Sequence, residues 1–130
     1  MKTSGNIFSC ALLVLSASTL SAATPGKLTV EPPTQECVGF HWEISDDGSS
    51  RFKTANATAQ IDYRKQDAEE WLPGLDLMRL EVDRREFLAG SLFHLEPGTN
   101  YEARLTLSDP DGVQGEPTRT VSFTTRSEPV

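Results

Sequence analysis

Strict alternation is the feature that most limits what this chain can become. Tyr101, Ala103, Leu105 and Leu107 alternate with Glu102, Arg104 and Thr106. A period of two sends successive side chains to opposite faces of an extended strand, so the apolar set is turned to a core. Val38, Phe40, Trp42 and Ile44 repeat the pattern against Gly39, His41 and Glu43. Ala59, Ile61 and Tyr63 repeat it against Gln60, Asp62 and Arg64. Thr120-Val121-Ser122-Phe123-Thr124 reads as a closing strand. Leu28-Thr29-Val30, just before Pro32-Pro33, suits an edge, where a missing N–H breaks no central ladder.

Turn residues separate these runs, at Asp46-Asp47-Gly48-Ser49-Ser50, Glu96-Pro97-Gly98-Thr99-Asn100 and Asp109-Pro110-Asp111-Gly112. Residues 65–71 have helical composition but are too short and lack a cap. Short strands with turn signals every about eight to fifteen residues predict an all-β, two-sheet antiparallel sandwich of about seven strands. Residues 73–90 fit less well, keeping only a broken alternation at Leu75, Leu77, Leu80 and Val82. They read as a long connection with an extra edge hairpin. Long ordered connections are where a rigid scaffold most often carries function. The candidate binding surface is therefore Trp71, Leu75, Leu77, Met78, Arg79 and Leu80, with core packing the competing reading for Trp71.

The first residues have a different character. Lys2 precedes an apolar run, Ile7-Phe8-Ser9-Cys10-Ala11-Leu12-Leu13-Val14-Leu15, and then small residues to Ala23. A positive start, an apolar middle and small residues before Thr24-Pro25-Gly26 are the pattern of a secretory signal peptide. Cleavage is expected after Ala23, giving a leader at 1–23 and one domain at 24–130. The run is short of the ~20 residues that a membrane span needs. The remaining 107 residues carry 19 acidic and 11 basic side chains, a net charge of −8. That balance opposes binding to a nucleic-acid backbone, which needs a basic face. The leader, in turn, implies a domain outside the cytoplasm: secreted, periplasmic or at the cell surface.

Chemistry-bearing sets are sparse. Cys37 is the cysteine left after the leader, and its adjacent charge is Glu36 and not the basic neighbour that a reactive thiol needs, so it is expected as an inert, buried residue on a strand. His41 and His94 are far apart in sequence and lack the further ligands a zinc site requires. Asp109-Pro110-Asp111-Gly112 resembles the start of a calcium loop, but the position that should hold the bidentate Glu is Thr120, so a hairpin turn is expected. Asp46-Asp47 and Glu69-Glu70 would point to opposite faces of an extended chain and read as solvated charge, as do Arg84-Arg85 between Asp83 and Glu86. No catalytic set, cofactor or metal is expected. Asn56-Ala57-Thr58 is a glycosylation sequon that matters only in a eukaryotic source.

The order of strands is similar to that of the fibronectin type III domain across residues 27–126. Trp42 stands where that family buries a second-strand tryptophan, and Ile61-Asp62-Tyr63-Arg64 followed by Trp71 resembles its third strand and trailing tryptophan. Leu95-Glu96-Pro97-Gly98-Thr99-Asn100-Tyr101 resembles the family's L-x-P-G-T-x-Y element. The resemblance implies a core built on Trp42, Tyr63, Leu95 and Tyr101. It also implies a tyrosine corner at Tyr101, whose hydroxyl bonds back to the chain before its strand. A narrower resemblance, carried by residues 89–98 and 107–113, is to the leading module of bacterial secreted right-handed parallel β-helix proteins. Here the sequence stops at Val130, just after the last strand. Three readings follow: an exported non-catalytic spacer or docking module, the truncated leading module of a polysaccharide-lyase-like enzyme, or a free-standing adhesin. The implied partner is a protein or a polysaccharide, with no nucleic acid and no membrane span after leader removal.

Overall fold

The computed structural model describes residues 22–45 and 56–130. Most of the expected leader and the expected turn at Asp46-Asp47-Gly48 lie outside them. The described residues form eight strands: β1 (Thr24–Val30), β2 (Val38–Ser45), β3 (Thr58–Lys65), β4 (Leu72–Pro73), β5 (Met78–Val82), β6 (Arg85–Leu92), β7 (Asn100–Ser108) and β8 (Thr118–Thr124). Every strand pair is antiparallel. One sheet runs β1-β2-β6-β5 and the other β4-β3-β7-β8. The fold is a two-sheet, fibronectin type III or immunoglobulin-like sandwich, with no helix among the described residues.

The alternating positions meet between the sheets. Val38, Phe40, Trp42 and Ile44 of β2 face Ala59 and Ile61 of β3 and Ala103, Leu105 and Leu107 of β7, all of them buried. Phe40 and Phe123 meet edge to face at 6.1 Å, and Tyr101 stacks on Phe123 at 5.5 Å, arrangements that suit the ring quadrupoles. Tyr101 forms the corner: the Glu96 N–H donates to its Oη at 2.8 Å. Leu95 is buried beside it, and Tyr63 packs half-buried against the core. Lys65 Nζ lies 2.7 Å from Glu96 Oε2, and that hydrogen bond raises the Lys65 pKa above its ordinary value.

Two findings correct the expectations. The stretch expected as a connection over residues 73–90 does hold a hairpin, β5–β6, but β6 is an inner strand and not an edge one, paired with β2 from Val38↔Leu92 to Ile44↔Glu86. Cys37 is neither buried nor on a strand. It is half exposed just before β2, with Thr34 Oγ1 3.0 Å from its Sγ. Ahead of β1, Ala23 is tied into the domain. Ala23 is fully buried, its N–H donates to Gly112 O at 3.2 Å, and its C=O accepts from Gln114 N at 2.9 Å. The Asp109–Gly112 segment is a turn, with Gly112 N–H donating to Asp109 O and Asp111 N–H to Asp109 Oδ1.

Candidate docking surface

The stretch that carries the candidate residues changes sheets partway along. The Gly74 N–H donates to Ile61 O at 2.8 Å and the Leu77 N–H to Ala59 O at 2.9 Å, so this part lies along β3. From Met78 onward the chain leaves β3 and pairs with β6, from Met78↔Ala89 to Val82↔Arg85. Between them the chain crosses the side of the sandwich, and Leu77 plugs that side at 7% exposure. Leu77 is therefore a core residue, which removes it from the candidate surface.

The crossing separates the other candidates. Trp71 sits half-buried with the Arg64 guanidinium 4.2 Å and the Arg104 guanidinium 4.3 Å from its ring centroid. Each arginine is also paired with a carboxylate, Arg64 with Glu102 at 2.9 Å and Arg104 with Asp62 at 3.2 Å. These side chains alternate with the inward positions of β3 and β7, so the cluster lies on the outer face of the β4-β3-β7-β8 sheet. Its ring is engaged by the chain's own cations, an arrangement of the cation–π type.

Leu75 stands elsewhere, 70% exposed on the rim between the sheets. It shares an open groove of about 380 Å³ with Tyr63, Pro73, Gly74, Leu92 and Phe93. Phe93, which sequence reasoning passed over, is 52% exposed there. An adjoining groove of about 610 Å³ is lined by Thr34, Glu36, Cys37, Phe93, His94 and Glu128. His94 joins the two grooves and has φ of 57°, a left-handed conformation that L-residues adopt infrequently.

Met78 and Leu80 face the other way. With Val82 they form a stripe on the outer face of the first sheet, Met78 at 76% exposure, next to Phe87 and Ala89 of β6. Arg79 points to the opposite face, where it is paired with Glu86 at 3.2 Å and donates to Ala57 O. The structure thus splits the six candidates into a cation-covered tryptophan, a rim groove, a core plug, an edge stripe and an inward arginine. Among the described residues no group of three or more His, Cys, Asp or Glu is placed to hold a metal ion. No helix among them is long and apolar enough to cross a membrane.

Solved structures share this architecture. A structure described as a myokine aligns at 18% identity with a TM-score of 0.57, covering 82% of this chain and 99% of that one. The fn3 domain of human contactin 1 aligns at 16% identity and 0.54, covering 85% of this chain and 82% of that one. The sensor domain of the anti-sigma factor RsgI4 of Pseudobacteroides cellulosolvens aligns at 10% identity and 0.51, covering 82% and 76%. Identities this low establish a common fold and leave function to the site. No protein-family model matches the chain. No curated protein matches it either.

Proposed function

We propose that the chain is an exported, non-catalytic fibronectin type III-like module that works by docking to another protein at the cell surface. The observation that carries this reading is the rim groove. Leu75 and Phe93 are large, apolar and exposed beside a sandwich whose interior is already filled. Contiguous exposed apolar surface on a small soluble domain marks an interaction site more often than chance. Trp71 does not favour a polysaccharide partner, because guanidinium groups lie over its ring where a sugar would stack.

The test is binding to the surface of the source cells, measured with the purified, labelled protein. Replacing Leu75 and Phe93 with Asp should lower surface binding about tenfold or more, as removal of an apolar anchor does, while circular dichroism and thermal midpoint stay unchanged. Binding that is insensitive to both substitutions refutes the placement. Turnover of polysaccharides by the purified protein at enzyme-like rates refutes the non-catalytic reading.

A further inference from the structure

The four sheet edges are not alike. Exposed edges invite new strands, and proteins blunt them with proline, bulges, short length or inward charge. β1 carries Pro25 and Lys27 and has an irregular register between Pro25 and Leu28. β4 is two residues long and one of them is Pro73. β8 presents Thr, Arg and Ser over most of its length. β5 has five residues, no proline, no glycine and an unbroken register, and its outward side chains are Met78, Leu80 and Val82.

One device remains on β5, the inward charges Arg79 and Glu81. They are opposite in sign and two residues apart. In a symmetric antiparallel pair of identical strands some residue must lie opposite itself, because residues that face each other share a sheet face. Centring on Arg79 or on Glu81 sets like charges against each other, which is destabilising. Centring on Leu80 sets Arg79 against Glu81 of the second copy, Glu81 against its Arg79, and Met78 against its Val82. The sequence Met-Arg-Leu-Glu-Val is complementary to its own reverse only in that register. Arg79 keeps its bond to Glu86, and the new neighbour adds to it.

We propose that β5 is a self-pairing edge: the β5 strands of two copies of this chain join antiparallel about Leu80 and fuse two four-stranded sheets into one of eight strands. The apolar stripes then run together on one face of the joined sheet, so Met78, Leu80 and Val82 gain cross-strand partners of their own kind.

Sedimentation velocity of the purified protein over a range of concentrations tests this. A monomer–dimer equilibrium is expected. Leu80→Lys, a change on the outer face that leaves the core intact, should raise the dimer dissociation constant about tenfold or more by setting two lysines against each other. Arg79→Glu and Glu81→Arg should each weaken self-association, and an equimolar mixture of the two should dimerise again, since every charge then meets its opposite. Sedimentation as a monomer at all concentrations overturns the proposal. So does a dimer that Leu80→Lys leaves unchanged, or a mixture of the charge variants no tighter than either alone. Circular dichroism of each variant separates loss of pairing from loss of fold.

Discussion

Leu77 and Gly90 share a volume that only one of them can fill. Gly90 lies on the inner face of β6, and a Cβ built there would collide with Leu77 Cδ2. The missing side chain is what lets the crossing segment close the flank of the core. Gly90→Val should therefore destabilise by about 1–3 kcal/mol through overpacking, measured by urea denaturation. Leu77→Ala alone should cost about 2–5 kcal/mol for the cavity. The double variant should cost less than the sum, because each change makes room for the other, and strict additivity would show that the two side chains do not compete. Tyr101 gives a second residue-scale prediction. Tyr101→Phe keeps the stack on Phe123 but leaves the Glu96 N–H without its acceptor. The expected loss is about 1–2 kcal/mol of unfolding free energy, the usual effect of orphaning a part-buried donor. Ala23 gives a third. A chain that begins at Thr24 lacks both backbone bonds that Ala23 makes, and should be about 1–3 kcal/mol less stable than one that begins at Ala22. Equal urea midpoints for the two would show that the parallel bridge to Val113 contributes nothing.

The same residues explain which elements could be read from sequence. β2, β3 and β7 each keep four or three apolar side chains in strict alternation, because both sheets turn those positions toward one core. β6 does not. Its inner positions are Glu86, Leu88, Gly90 and Leu92, and the bulky Phe87 faces outward. Gly90 hides an inner position because Leu77 arrives from another segment to fill it, and no local pattern encodes that arrival. The expected edge hairpin is there as β5–β6, but the position of its turn is hidden for a related reason. Its two-residue turn is Asp83-Arg84, both at positive φ, 51° and 65°. Such turns usually advertise themselves with glycine or asparagine, and arginine does not. The change of sheet at Leu77 that sorts the candidate residues onto different faces was not legible, because it depends on hydrogen bonds to β3 that the sequence does not display. Trp71 belongs to this scale too. Its ring links β4 to the ion pairs of β3 and β7, so Trp71→Ala should lower stability, and a double-mutant cycle with Arg104→Ala should give a coupling of about 0.5–1 kcal/mol. A coupling indistinguishable from zero would show that the contact is incidental.

Across the whole molecule, the two sheets are joined by more than a shared core. The crossing segment bonds to β3 at Gly74 and Leu77 and then to β6 as β5. Ala23, leading into β1, bonds to the connection between β7 and β8. At the opposite end Leu95 N–H donates to Glu36 O, and Arg126 N–H donates to Thr34 O, tying the residues before β2 to those around β7 and after β8. Either sheet peeling away must break these bonds as well as expose Trp42, Phe40 and Leu105 together. The sandwich should therefore unfold in one step, as small domains with a single core usually do. The two tryptophans make this measurable. Trp42 lies in the shared core and Trp71 on the outer face of the second sheet. In Trp71→Phe, fluorescence reports Trp42 alone, while far-ultraviolet circular dichroism reports strands of both sheets. The two urea curves should coincide in midpoint and slope. A circular-dichroism transition that persists after the Trp42 signal is lost would mean that one sheet survives the other, and the hydrogen bonds between them would then be too weak to make the fold a single cooperative unit.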